Sequence, residues 1–477
     1  MTIRRIATSA GLALALVTVG CARDNSTATA GSSPGTTQTP QETAVVNTEN
    51  AQLVQGDVAP TRLFRRPLQP GEVQGSGLVS VANPASPKVP LRLPTPPETR
   101  HFKETVIHVP AGSAPTEVQL PIDAPNEAWV MFIPKGNDAQ RGETALRSVT
   151  LRDPLGRRAD VEAAREAQSK LEPDQAERLA AGRISRPITM LHLNNNMARG
   201  TYAVQVGREA AATGLAIEVR LPNSPIELNL TPSAMQFFPG QDSWVTIGLG
   251  EGARIDRVDF TAVLYDPSFR AARRVPVVRV GNEYRALVSS VFTEQDAVGT
   301  WNLEVRATGV SGNQRFDRLG STAFGFAVPT ARLVSVGHPR FERGPEGKIT
   351  TLAVDVVVES EALDRYEISG TLAATTPDSL ERPVAEAQVT DLLAPGQHTL
   401  TLRFDAGHVS LTKLGGRFAL RGLQLFSLGT NTLYHRLAKG LDIRFPALRV
   451  ADLAAPREIT PAIEHMMRAG EFDLTTP

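Results

Sequence analysis

One cysteine, Cys21, serves a chain of 477 residues, so no intramolecular disulfide can staple its domains and each must carry its own apolar core. Aromatic residues make up only 5% of the chain, which weakens any reading that needs stacking platforms for sugars. Neither charge sign is in excess: Lys+Arg and Asp+Glu are both 50, so no long-range field favours nucleic acid or an acidic surface. Lysine is scarce, 7 of those 50 cations, which reads as the coding bias of a GC-rich genome rather than a recognition device. Beyond the first 20 residues no apolar run approaches the length of a membrane-spanning helix.

What is present starts at the N-terminus. Arg4 and Arg5 precede an apolar stretch over residues 6–19, broken by Thr8, Ser9 and Gly11 and most apolar from Leu12 to Val17. A charged region before an apolar run too short to span a bilayer is the pattern of an export signal, placed here at 1–20. Gly20-Cys21 resembles the end of a bacterial lipobox, in which cleavage precedes the cysteine and its thiol receives a diacylglycerol, so Cys21 is the expected lipidation site. Each buried methylene contributes about 0.8 kcal/mol, so one acyl chain holds marginally and two or three hold firmly. The residues around Arg4-Arg5 do not complete a twin-arginine motif, and general secretion is expected. Ala22 rather than Asp follows the cysteine, which favours the outer membrane by the sorting rule of Gram-negative bacteria.

Residues 21–99 form the expected lipidated tether, largely disordered, because Ser, Thr, Ala, Gly, Pro and Gln cannot repay the entropy of ordering. Its later part adds Leu63, Phe64, Leu78, Val79, Val81, Val89 and Leu91, which suit an extended segment laid along the folded body. Apolar alternation then marks strands throughout. Residues 100–222 read as an N-terminal β-domain in which Leu215, Ile217, Val219 and Leu221 share one face. A helical insertion is expected over 160–182, where Val161, Ala164, Gln168 and Leu171 take helical spacing. Pro222-Asn223-Ser224-Pro225 fixes two φ angles and marks an exposed joint. The second block, 226–330, contains Trp301, Leu303, Val305 and Ala307 in strict alternation, and Pro329 precedes a third block over 331–447. In the tail, 448–477, Thr460 caps a short helix with Pro461 first and Gly470 after it, docked by Ile463, Met466 and Met467. Short strands with turns about every 8–12 residues define a mainly β fold built of sandwiches.

The third block resembles a module of exported bacterial and archaeal surface proteins found beside von Willebrand A domains and proteases. The resemblance rests on Tyr366-Glu367-Ile368-Ser369-Gly370-Thr371-Leu372, on Leu393-Ala394-Pro395-Gly396 leading to Leu400-Thr401-Leu402-Arg403-Phe404-Asp405, on Phe418-Ala419-Leu420-Arg421-Gly422-Leu423-Gln424-Leu425, and on the strand with Phe445. The second block resembles the usual upstream neighbour of that module through Gly299-Thr300-Trp301 and Thr322-Ala323-Phe324. That neighbour often carries an acidic hairpin, whereas Val280-Gly281-Asn282-Glu283-Tyr284 is short and has one acid, so no calcium site is expected. Over residues 100–447 the chain is similar to an uncharacterised family of proteobacterial exported proteins. The resemblance implies tandem immunoglobulin-like β-sandwiches after the N-terminal β-domain and says little about function.

A search for chemistry finds no complete set. The histidines at 101, 108, 192, 338, 398, 408, 435 and 465 never form the helical pair of a zincin and have no cysteine partner, so no metal site is expected. Ser410-Leu411-Thr412-Lys413 matches a serine and lysine pattern of penicillin-recognising enzymes, yet its context reads as strand and no companion motif appears. Gly248-Leu249-Gly250-Glu251-Gly252 fits a hairpin better than a phosphate cradle, and Asp242, Asp256, Asp259 and Asp266 fit a solvated face. The arginine groups 270, 273, 274 and 152, 157, 158 suit the blunting of strand edges. Trp129, Trp244 and Trp301 read as core. Asn194-Asn195-Asn196 is a polar loop tip and the candidate partner-binding site. No catalytic residue and no cofactor follow from these patterns. The expected protein is a non-enzymatic lipoprotein of the cell envelope, anchored by its N-terminal lipid, whose immunoglobulin-like domains bind or space protein partners of the envelope or exterior, without nucleic acid. Alternatives are an exported hydrolase with its site in the N-terminal β-domain, an accessory factor for secretion or folding of an exported enzyme, and a periplasmic or secreted location.

Overall fold

Apolar alternation with so little helix-forming periodicity leaves pairing of half-buried sheets as the way to bury a core. The computed structural model describes residues 46–48, 53–54, 56–66, 77–91, 97–124, 128–135, 138–159, 188–193, 198–250, 254–270, 272–376, 379–438 and 443–472. Cys21, the expected insertion at 160–182 and Asn194 to Asn196 lie outside the described residues. Among those described, six sheets pair into three sandwiches, and the protein is mainly β.

In the first sandwich one sheet orders Thr116–Ile122, Gly200–Val206, Val149–Arg152 and Arg158–Ala159, and the other orders Glu104–Val109, Leu215–Arg220, Trp129–Pro134 and Thr189–His192. Leu120, Phe132, Tyr202, Val204 and Ile217 fill the space between them and are fully buried. The second sandwich has the pairing of an immunoglobulin domain. Val277–Val280, Glu283–Leu287, Trp244–Leu249 and Leu228–Pro232 form one sheet; Ala272–Val275, Arg257–Tyr265, Gly299–Ser311 and Gln314–Phe326 form the other. Gln236–Phe237 joins the last of these in parallel, as a switched first strand does in that fold. Trp301 is buried at its centre, donates Nε1–H to Ala297 O at 2.8 Å, and meets Phe292 edge-on. In the third sandwich Ile349–Ser360 lies between Ala331–Val336 and Gly396–Asp405, facing a sheet that contains Glu381–Leu393, Asp364–Thr375 and Gly416–Ser427.

The described residues before 100 are ordered: from Phe64 on they lie along the folded body, as Phe64, Val79 and Val81 suggested, and the pairing begins already at Val46. Val46–Asn47 pairs antiparallel with Val336 and Ser335. Val58 exchanges two backbone hydrogen bonds with Arg436, at 2.9 and 2.7 Å. Phe64 donates its N–H to Pro329 O at 2.9 Å and buries its ring in the second core. Val79–Pro84 adds an antiparallel strand beyond Glu381–Leu393. Sheet edges carry unpaired backbone groups, and this segment satisfies them, so its composition understates its order. The block boundaries shift for the same reason: Arg100–Phe102 extends the second sandwich by pairing with Leu228–Pro232, and Leu448 and Leu453 of the tail belong to the third core.

At the first expected joint Pro222, Asn223 and Pro225 are exposed and Ser224 between them is buried; at the second Pro329 is buried, and Ala44–Pro477 forms one unit. Gly248 to Gly250 leads out of one sheet toward a strand of the other, so the glycine run belongs to an inter-sheet connection and not to a hairpin. Ser410 sits in a helix, Ala406–Leu411, whose N-cap Asp405 accepts from Gly407 N and His408 N; its hydroxyl donates to Gly407 O. Trp129 and Trp244 are only half-buried, stacked on His192 and under the Arg285 guanidinium respectively, so Trp301 alone of the three is core. The C-terminal helix Pro461–Arg468 has Thr460 as its cap and Ile463 buried, but Met467 points outward.

Candidate partner-binding cleft

One buried arginine sits where the first and second sandwiches meet. Within Gln314–Phe326, Phe316, Gly320, Thr322 and Phe324 face inward in register, and Arg318 occupies an inward position among them. It is fully buried, and every nitrogen of its guanidinium is engaged: Nε donates to Ile226 O at 2.9 Å, Nη1 to Asp317 O at 2.8 Å, and Nη2 to Asp123 Oδ1 and Oδ2 at 2.7 and 2.9 Å and to Ser224 Oγ at 2.6 Å. Ser224 in turn donates to Asp123 and accepts from Ile226 N at 3.0 Å. Asp123 comes from the first sandwich, Ser224 from the connection and Arg318 from the second. A desolvated ion pair of this kind survives only with its remaining lone pairs and protons satisfied, and here they are.

Directly beside this node lies a cleft of about 410 Å³ between the two sandwiches. Gln119, Pro121 and Thr201 form the wall on the first; Arg257, Asp259, Thr308, Gly309, Arg315 and Asp317 form most of the wall on the second. Asp317 is fixed by the Arg306 guanidinium, with Nε at 2.9 and 3.1 Å from its two oxygens, and Arg257 reaches Asp259 at 3.1 Å. Gly309 is required there, because a Cβ would stand 2.2 Å from Arg257 O and 2.7 Å from the Phe316 ring. Exposed Arg315 and Thr308 face the opening. The cleft offers amide, hydroxyl and charged groups, and Asp317, whose carbonyl accepts from the buried arginine, is one of its lining residues. It can hold a polar chain by hydrogen bonds and ion pairs; it sets no nucleophile against a base.

Sequence reasoning missed these residues. Its own candidates, Asn194, Asn195 and Asn196, lie outside the described residues, four positions before the strand whose Thr201 lines the cleft. The available signal was Arg318, a charge at an inward position of an apolar strand. Of the arginine groups noted in the sequence, Arg273 is structural: it binds Asp296 with Nη1 at 2.9 Å and lies over Trp301 at 5.4 Å. Burial alone would raise the Asp296 carboxyl, but hydrogen bonds from Arg273 and Thr293 hold it below the usual carboxylate range. Arg157 is bound to Asp153, whereas Arg152 and Arg158 stand opposite one another across two strands, both exposed. Among the described residues no group of three His, Cys, Asp or Glu is placed to hold a metal ion.

Three tandem β-sandwiches, the second with immunoglobulin pairing, define the class. Within it, residues 339–444 match the family model described as the C-terminal domain of a domain of unknown function, DUF4785. The crystal structure of a DUF4785 family protein from Legionella pneumophila is similar over 83% of this chain and 99% of that one, with a TM-score of 0.58 and 16% identity, a likeness of fold. Escherichia coli alpha-2-macroglobulin activated by porcine elastase covers 74% of this chain and 31% of its own at 11% identity, and the chicken CNTN1 FN1-FN3 domains cover 70% and 99% at 11%; both have a TM-score of 0.19 and carry no argument. No curated protein matches the chain.

Proposed function

We propose that this chain is a non-enzymatic lipoprotein of the cell envelope, held in the outer membrane through acylated Cys21, whose rigidly joined sandwiches hold a protein partner in the cleft between the first and the second. The observation that carries the reading is the buried Arg318 node that joins the two sandwiches beside that cleft. A scaffold that fixes the angle between two domains gains little for catalysis by either alone, but it pre-organises a surface made from both and so reduces the ordering cost of binding.

The test has two arms. A fatty-acid probe should label the wild-type protein and not Cys21→Ser. A photo-crosslinking side chain at Thr201 or Thr308 should give one discrete adduct in intact cells, lost on Arg315→Glu, while the same group at Thr371 on the third sandwich gives none. Purified protein that turns over peptide, ester or glycan substrates, and loses that turnover on truncation of one side chain without unfolding, would refute the reading.

A further inference from the structure

We infer that the end of the third sandwich remote from its connection to the second is a bilayer-facing surface, so that the cleft is presented on the side away from the membrane. The inference rests on the anchoring read for Cys21 and adds which part of the protein meets the lipid.

Strand polarity supplies the first observation. Ala331–Val336 leaves the second sandwich and runs outward along the third. Val46–Asn47 pairs with it antiparallel, Val46 opposite Val336 and Asn47 opposite Ser335. Further along, Val58 pairs with Arg436 and Phe64 reaches Pro329 at the connection itself. The chain therefore arrives from the remote end and travels toward the second sandwich. From Cys21 to Val46 it can reach at most roughly 90 Å when fully extended. Val46, the first described residue, thus enters the folded body at the remote end of the third sandwich, and an anchor at Cys21 would be joined to the body there, although the first sandwich follows in sequence.

The side chains of that end supply the second. Val89, Leu380, Ile459 and Met467 are 43, 51, 44 and 50% exposed, each in a turn or the tail at this end. Ser86 Oγ donates to Glu471 O at 3.0 Å, and Ala454 N donates to Ile349 O at 2.8 Å, so the tail is tied to the N-terminal segment and to a strand end here. Three of the scarce lysines, Lys88, Lys348 and Lys413, lie here beside exposed Arg417. Asp452 and Glu464 are taken up by Arg449 at 3.0 Å and Arg468 at 3.7 Å. Glu346 and Glu458 remain exposed, so the basic excess is modest. Exposed aliphatic side chains at the same end as cations with long apolar stems suit the boundary between acyl chains and anionic headgroups, where the stems lie along apolar surface and the charges reach phosphate.

Acylated Cys21 has no free thiol and the chain has no other cysteine, so single cysteines report one place each. Full-length Leu380→Cys, Lys413→Cys, Gln119→Cys and Thr308→Cys are labelled with a fluorophore and reconstituted into vesicles of phosphatidylglycerol and phosphatidylethanolamine carrying a headgroup quencher, with wild type as the blank. Labels at 380 and 413 should lose most of their emission, and those at 119 and 308 should keep it. Equal loss at all four sites, or loss only at 119 and 308, overturns the inference. Fatty-acid labelling of the same samples separates the two ideas. Acylated protein without loss at 380 and 413 sinks the bilayer surface alone, whereas loss there in protein that takes up thiol label at Cys21 sinks the anchor and keeps the surface.

Discussion

At the scale of single residues the chain hides one titratable group where titration is costly. His435, on Thr432–Leu437, is buried in the third sandwich; Nδ1 accepts from Leu333 N at 3.1 Å, so the proton of the neutral ring sits on Nε2, which has no hydrogen-bond partner among the described residues. Burial, and then the charge of Arg332, bring its pKa down to about 3. Between that value and the ordinary one near 6.5 the unfolded chain binds a proton that the folded chain refuses. Stability from this residue is therefore complete above about pH 6.5 and is lost by about 1.4 kcal/mol for each pH unit below it. His435→Asn keeps an acceptor and removes the titration. Urea unfolding of the third sandwich, read by pulsed amide exchange of Ile349–Ser360 at pH 7 and pH 5, should show the wild type losing about 2 kcal/mol more than the variant on acidification. Equal losses would mean that the ring takes up its proton without opening the core.

At the scale of elements, what the sequence made legible was the strand whose partners share its alternation. Leu215, Ile217, Val219 and Leu221 were assigned to one face and are all fully buried, and the capped helix after Thr460 forms as its cap and Pro461 require. What escaped were elements defined by something remote. Val46–Asn47 has no periodicity of its own strong enough to declare a strand, and Val79–Pro84 reads in the sequence only as an extended segment along the body; edges hundreds of residues later make them strands. The helix Ala406–Leu411 is six residues long and depends on the Asp405 cap rather than on an apolar stripe. The cleft was illegible for the same reason, since its walls come from two sandwiches and only Arg318 gave a local sign of the contact. Phe64 is the residue that decides whether the N-terminal segment behaves as tether or as structure. Its ring lies in the second core and beneath the Arg62 guanidinium at 4.8 Å, so Phe64→Ala should cost about 3 kcal/mol and open the 53–66 stretch to proteases. Leu78→Ser, at an exposed position, should change stability by less than about 0.5 kcal/mol. A protease pattern unchanged by Phe64→Ala would show that the edge pairings alone hold the segment.

At the scale of the whole molecule the decisive quantity is the angle between the first and second sandwiches, because a cleft built from both walls binds only if that angle is kept. Domains joined through a short polar connection move freely by default unless the contact between them is large or specific. Here it is specific: Arg318 ties the second sandwich to Asp123 of the first and to Ser224 of the connection, with its own carbonyl contacts completing the set. Removing the cation leaves Asp123 buried without its partner, a loss of about 3–5 kcal/mol when a desolvated pair is broken from one side. That loss falls on the interface and not on either core, so each sandwich should stay folded while the angle between them is released. Spin labels at Arg158→Cys on the first sandwich and Arg274→Cys on the second, both exposed, would read it as a distance distribution. The distribution should be narrow in the otherwise wild-type chain and broad in Arg318→Ala, with amide exchange within Gly299–Ser311 unchanged. Asp123→Asn should fall between them, since an amide keeps one acceptor for the guanidinium but gives up the charge. If Arg318→Ala leaves the distribution narrow, the strand contributed by Arg100–Phe102 fixes the angle by itself, and the arginine serves only the stability of the joint.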